Sequence, residues 1–156
     1  MQTIRVQHGP FDSGAEITAF LASVPRSGGV ATFIGQVRDF KGPNSKAGET
    51  VHTMTLEHYP GMAERELETL VAEAVKRWTL DGALVIHRHG ELRPGEAIVL
   101  VATASAHRGD AFAACEFLMD WLKTKAPFWK KEATASGSTW VSASAGDDAR
   151  AERWKD

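Results

Sequence analysis

The chain has 156 residues, 43% of them hydrophobic, which fits one domain that can bury roughly 70% of its unfolded surface without a metal or disulfide staple. Cys115 is the only cysteine, so no internal disulfide forms, and 18 Lys plus Arg against 20 Asp plus Glu exclude a generally basic nucleic-acid binder. No apolar run reaches the ~20 residues of a membrane helix, and residues 1–10 lack the apolar core of a signal peptide, so the cytoplasm is the expected compartment.

Residues 2–8 alternate polar and apolar around Ile4 and Val6, the pattern of a half-buried strand that Pro10 ends. Asp12 or Ser13 can cap a helix whose apolar face is Ile17, Phe20, Leu21 and Val24. Residues 30–37 are rich in β-branched side chains and predict a strand, with Gly35 a point of bulging or close approach. Residues 38–49 form the one long loop, charged and rich in Gly, Pro, Asn and Ser. Within it, residues 39–49 have little but Phe40 and Ala47 to bury, which predicts a mobile lid that settles over a bound ligand. Residues 50–59 predict a second strand.

Pro60 suits the first turn of a helix carrying Leu67, Leu70, Val71, Ala74, Val75 and Trp78 on one face. After a turn at Asp81-Gly82, residues 83–89 and 97–105 predict strands joined through the tight turn Arg93-Pro94-Gly95-Glu96. The second of these holds Ala97-Ile98-Val99-Leu100-Val101-Ala102, apolar on both faces, so it is expected to be central and covered on both sides. Residues 109–125 predict a second long helix with Phe112, Cys115, Leu118, Met119 and Leu122 inward, stopped by Pro127. Residues 128–133 and 138–141 predict a hairpin around Ser136-Gly137. Residues 143–156 are small and charged, with only Trp154 as an anchor, and predict a mobile tail after a single domain of residues 1–142. Interleaved elements with hairpin spacings predict an α+β fold with a largely antiparallel sheet.

Residues 121–132 hold four Lys and one Glu in a slightly acidic chain. Lys123 lies at a helix end and Lys130 follows the turn at Pro127, so the chain doubles back and brings the two together. Paired ammonium groups beside Phe128 and Trp129 can depress one lysine pKa or clamp an anion; the plainer reading is a basic helix end that offsets the macrodipole. His107 and Arg108 open a helix directly after the apolar strand, where free N–H groups suit a phosphate; the plainer reading has Asp110 capping the helix and Arg108 on the surface. Arg38 stands at a strand-to-loop junction. His87 and His89 share a strand face, yet no Cys pair or spaced carboxylate joins them, so half-exposed sheet histidines are expected rather than a metal site. Cys115 falls in an apolar stripe and reads as an inert thiol. No Gly-rich phosphate loop, nucleophile elbow or zinc-finger spacing is present.

Five blocks then resemble, in order, the catalytic (large) subunit family of molybdopterin synthase. They are Phe33-Ile34-Gly35-Gln36-Val37-Arg38, Leu56-Glu57-His58-Tyr59-Pro60-Gly61-Met62-Ala63, His87-Arg88-His89-Gly90 with Pro94-Gly95-Glu96, Ser105-Ala106-His107-Arg108 with Ala111-Phe112, and residues 122–132 ending at Trp140-Val141. The resemblance implies an α/β hammerhead-like fold: a largely antiparallel sheet packed by two long helices, with a small extra β subdomain. It implies a homodimer within a heterotetramer, each end carrying a small ubiquitin-like sulfur-carrier subunit with a C-terminal Gly-Gly thiocarboxylate. The reaction it implies is sulfur transfer to cyclic pyranopterin monophosphate (precursor Z), giving the dithiolene of molybdopterin. By position Lys123 and Lys130 match the family's catalytic lysines. Gln36, Val37, Arg38, His107 and Arg108 match its substrate contacts, together with Lys123, Lys130, Lys131 and Glu132. Ser142-Ala143-Ser144 offers no basic residue of the kind some relatives extend across the dimer. No metal or cofactor is implied, because the sulfur arrives already activated. A competing reading is a non-catalytic module for a ubiquitin-like tail or an anionic ligand; turnover separates the two. A nucleic-acid interface is disfavoured because the cations converge instead of forming a stripe.

Overall fold

The fold is that of a computed structural model, which describes residues 1–39, 51–135, 137–141 and 145–155. In chain order the elements are β1 (Gln2–Gln7), α1 (Ser13–Ser23), β2 (Gly29–Gln36), β3 (Val51–His58), α2 (Met62–Arg77), β4 (Gly82–Arg88), β5 (Gly90–Leu92), β6 (Ala97–Ser105), α3 (Arg108–Thr124), β7 (Phe128–Thr134), β8 (Gly137–Val141) and α4 (Ala145–Glu152). Apart from Asp39, the expected lid over residues 39–49 lies outside the described residues.

Local chemistry sets the helix starts. The Asp12 carboxylate accepts the Ala15 N–H at 2.9 Å and caps α1. Glu64 accepts the Gly61 N–H at 2.7 Å, so α2 begins at Met62 and Pro60 stays just outside it.

The described strands form two four-stranded sheets, ordered β1-β4-β6-β2 and β5-β3-β7-β8. In the first, β6 pairs antiparallel with β2 and β4, and β1 pairs parallel with β4. The second is antiparallel throughout. The expected α+β class and largely antiparallel pairing hold. β6 is central, with Val99 through Ser105 all buried. Val99 and Val101 pack with α2 and α3 on one face, while Leu100, Ala102 and Ala104 pack with Phe20 of α1 and Val24 at its C-cap on the other. A third cluster of Val37, Met54, Leu56 and Leu92 forms where the two sheets meet.

Several expectations are corrected. Leu21 is 49% exposed, because α1 is held through Phe20 and Val24 and Leu21 falls on the rim. Phe112 is 66% exposed: the buried stripe of α3 runs through Ala111, Ala114, Cys115, Leu118, Trp121 and Leu122, and Phe112 lies beside it. Between the two strands expected to join directly, Gly90–Leu92 forms a short strand of the other sheet. Cys115 is buried as expected, and burial pushes its thiol up to about 11.

The expected tail contains an eight-residue helix packed on α3. Buried Asp120 accepts hydrogen bonds from the Trp154 indole at 2.7 Å and from Arg153 at 2.8 Å. The Trp154 ring meets Trp78 and Phe117 edge-on, and Ala151 is buried. The anchor is therefore Trp154 together with a carboxylate on the facing helix.

His87 is buried, not half-exposed. It continues the face of β4 that carries Ala83 and Val85 into the core. Its ring stacks on Phe128 with centroids 3.8 Å apart. Burial holds its pKa at about 4 against an ordinary 6.5.

Two outcomes follow from this packing. Asp120→Ala should lower stability by about 2 kcal/mol, read from the denaturant midpoint, by removing both side-chain bonds that dock the segment after α4. Acid should destabilise the fold through His87. Between pH 6.5 and 4 the unfolded chain binds a proton that the folded chain refuses, so stability falls as pH falls across that window. The total is about 3 kcal/mol for this group. Denaturant midpoints measured across the window for wild type and His87→Phe should show the variant with the shallower acid slope; equal slopes would remove His87 as the cause.

Candidate functional site

A cleft of about 660 Å³ opens where the end of the first sheet meets the inner face of the second. Three elements deliver its cations. At the end of β2, the register slips between Gly35 and Gln36. A Cβ on Gly35 would lie 2.8 Å from Val99 Cγ1, so only glycine allows this close approach, and the bulge turns the strand towards Arg38. The next residue but one, Val37, is fixed by two backbone bonds to the neighbouring turn: its N–H donates to Glu96 O at 3.0 Å and its carbonyl accepts from Gly95 at 2.8 Å. That turn needs Gly95 at φ +87°, the left-handed region. Gln36, Val37 and Arg38 all line the cleft.

Lys123 lies in the last turn of α3, where a cation also complements the helix dipole. Lys130 comes from β7. Alternation along that strand sends Phe128, Lys130 and Glu132 into the cleft. Lys131 is on the other face, 5.6 Å over the ring of its cross-strand neighbour Trp140. Lys131 is thus the one member of the predicted Lys130-Lys131-Glu132 run that does not line the cleft.

The electrostatics follow from this convergence. Burial pushes the Lys130 pKa below its usual value, and Lys123 and Arg38 push the same way, while Glu132 and Asp147 oppose them. Asp147, on α4, also lines the cleft. Among the described residues the hollow therefore holds three cations against two carboxylates, with an apolar wall of Phe33, Ile34, Ile98, Met119 and Phe128. Such a site favours a flat, partly apolar anion and stabilises negative charge that develops during a reaction.

His107 and Arg108 stand elsewhere. They are the N-cap and first residue of α3, both exposed. Lys123 is at the far end of the same helix, roughly 22–24 Å away at the α-helical rise. Within one chain Arg38 shares the cleft with Lys123 and Lys130, but not with His107 and Arg108.

Of the described titratable residues that line the cleft, Asp147 and His87 were not among the site residues expected from sequence. Asp147 sits in the segment expected to be a tail, and nothing in its spacing points to the cleft. His87 carries a legible signal: it follows Ala83 and Val85 at strand spacing, which places it on a buried face next to the cleft. The other histidine of that run, His89, lies in a separate group, its ring 4.1 Å from His58 and 5.5 Å from His8. Among the described residues no group of three or more His, Cys, Asp or Glu is arranged to hold a metal ion, and no helix is long and apolar enough to cross a membrane.

Comparison with known proteins bears on the cleft's use. The model of the MoaE protein family matches residues 6–125. A molybdopterin synthase catalytic subunit from Ralstonia nicotianae is 57% identical over 154 residues, 99% of this chain and 85% of that protein. One from Cereibacter sphaeroides is 51% identical over 151 residues, 97% of this chain and 99% of that protein. The solved structure of a molybdopterin biosynthesis MoaE protein from Burkholderia ambifaria superposes with a TM-score of 0.82 at 50% identity, covering 100% of this chain and 99% of that one. With its family model matched over residues 6–125 and relatives at 57% and 51% identity along nearly its whole length, the chain belongs to the MoaE protein family.

Proposed function

We propose that this chain is the catalytic subunit of a molybdopterin synthase, a sulfurtransferase of molybdenum cofactor biosynthesis that works in the cytoplasm. The observation that carries the reading is the convergence of Arg38, Lys123 and Lys130 in one cleft of a chain whose net charge is −2. The partner is a small ubiquitin-like subunit ending in a Gly-Gly thiocarboxylate, and the assembly is a homodimer with one such subunit on each copy. The second substrate is cyclic pyranopterin monophosphate.

Both substrates are anions, and both want fixed cations. The thiocarboxylate sulfur attacks an activated side-chain carbon of the pterin precursor, and the cyclic phosphate opens. The acyl link left to the small subunit is hydrolysed by water and the spent partner leaves; in a second round another thiocarboxylate attacks the neighbouring side-chain carbon, whose oxygen leaves as water, and its acyl link is hydrolysed in turn. Lys123 contacts the partner's terminal carbonyl and the reacting centre. Lys130, whose ammonium is already disfavoured by burial and by Lys123, stabilises the negative charge that develops. Arg38 holds phosphate, with Gln36, Val37 and Glu132 completing the substrate contacts. Lys131 supports the strand from its outer face through Trp140.

The helix α3 keeps His107 and Arg108 away from the cleft of their own chain, so their phosphate contacts are made in the cleft of the second copy. Mixed dimers test this. A dimer of one Lys123→Ala chain and one Arg108→Ala chain retains one intact cleft if Arg108 acts across the interface, and none if it acts in its own chain. The mixed dimer, purified from co-expressed chains by two different tags, should therefore show about half of wild-type turnover; no recovery would return Arg108 to a local role.

The direct test of the function is reconstitution with a thiocarboxylated partner and the pterin precursor. Lys123→Ala should lose more than about 99% of dithiolene formation while keeping its unfolding midpoint within about 0.5 kcal/mol, since Lys123 is exposed at a helix end. Lys130→Ala should retain more activity, because an electrostatic contribution is partly replaced by Arg38. A folded, fully active Lys123→Ala would remove Lys123 from the chemistry, and binding without turnover by the wild type would make the chain a recognition module.

A further inference from the structure

The polar groups that line the cleft differ in kind. Arg38, Lys123 and Lys130 only donate hydrogen bonds, Glu132 and Asp147 accept as full charges, and Gln36 and Thr124 can do either. His87 lines the same wall and offers something else.

Its ring is fixed on two sides. One face stacks on Phe128, with 3.8 Å between centroids and 16° between planes. Nδ1 lies 2.8 Å from the Arg88 carbonyl oxygen. A carbonyl only accepts, so Nδ1 carries the hydrogen and Nε2 is left with a lone pair. Among the described residues Nε2 takes no hydrogen bond, yet it is not a sealed, unpartnered atom: only Arg5 Nε is of that kind. The ring lines the cleft, and no described residue engages that lone pair. Burial opposes protonation of the ring, the hydrogen bond to the Arg88 carbonyl favours it, and Lys123 on α3, His58 on β3 and His89 just past β4 act on the side of burial.

We propose that His87 is a specificity-determining residue of the cleft: it is locked as the Nδ1–H tautomer, and its Nε2 accepts a hydrogen bond from an N–H of the bound pterin. This rests on the function proposed above. A neutral acceptor at fixed orientation suits a heteroaromatic N–H, which the charged carboxylates of the cleft select less sharply because they also attract any cation. The lysines then bind the anionic groups of the substrate, and His87 distinguishes its ring from other phosphates of similar charge.

Nitrogen-15 NMR of the histidine-labelled homodimer tests the tautomer without turnover. His87 should appear as Nδ1–H from pH about 5.5 to about 8. Its Nε2 resonance should move on adding cyclic pyranopterin monophosphate and stay put on adding a peptide that ends in Gly-Gly. In the synthase assembled with its partner, His87→Phe keeps a stacking ring but loses the acceptor. The KM for the pterin should rise about tenfold, the size of one lost neutral hydrogen bond, with a smaller change in kcat. His87→Gln, which places an amide oxygen near the former Nε2, should recover most of that loss. An Nε2–H tautomer, protonation within the stated pH range, a shift caused by the peptide alone, or an unchanged KM in His87→Phe overturns the proposal. If His87→Phe does not fold, a His87→Gln KM raised as far as that of His87→Ala overturns it equally. Wild-type synthase that fails to convert the pterin overturns the functional reading instead, and the NMR result still decides the tautomer.

Discussion

Strand β6 is buried on both faces, and its backbone is paired on both edges by β2 and β4. Buried peptide groups have lost water and must be hydrogen-bonded, so neither neighbour can be displaced cheaply. The chain leaves the far end of β6 and returns along α3, which packs on the same sheet. This out-and-back path places Lys123 beside Ile98 and Val99, at the start of the strand, and leaves His107 and Arg108 at its end. The same core therefore creates the cleft and separates two groups of cations that sequence alone would pool.

The second sheet supplies the opposite wall. Its inner face carries Met54 and Leu56 from β3 and Phe128, Lys130 and Glu132 from β7. Bringing Lys130 into this partly buried wall beside Lys123 and Arg38 is electrostatically unfavourable, and two carboxylates offset part of that repulsion. In the proposed function the anionic substrates offset more of it. His87 stacks on Phe128 of this wall from β4 of the first sheet, and burial keeps it uncharged, so it adds no repulsion.

Much of this was legible in the sequence. Two-sided apolarity identified β6 as central, the turn at Pro94-Gly95 was read from its residue types, and Gly35 was marked as a bulge or close approach and is both. The pairing of Lys123 with Lys130 followed from a helix end and a proline-forced reversal. Other features depend on packing that periodicity does not encode. Phe112 has the right residue type and nearly the right phase for the core, but sits one position off the stripe. Gly90–Leu92 is too short to declare itself as a strand until β3 lies beside it. The segment after residue 144 looks loose in sequence because the carboxylate that anchors it, Asp120, is on another helix. Motif order could suggest that Arg38, His107 and Arg108 act together; only the path of α3 shows that one chain does not gather them.

The central claim is that the Arg38–Lys123–Lys130 cleft is where the partner's tail meets the pterin. The most direct measurement is a crystal structure of the protein with the small subunit and the pterin precursor bound. The terminal carbonyl of the tail should lie within hydrogen-bonding reach of Lys123 or Lys130, with the pterin phosphate on Arg38. A tail that instead ends in the shallow hollow lined by Glu57, His58, Tyr59 and Trp129, with the cleft empty, would contradict it.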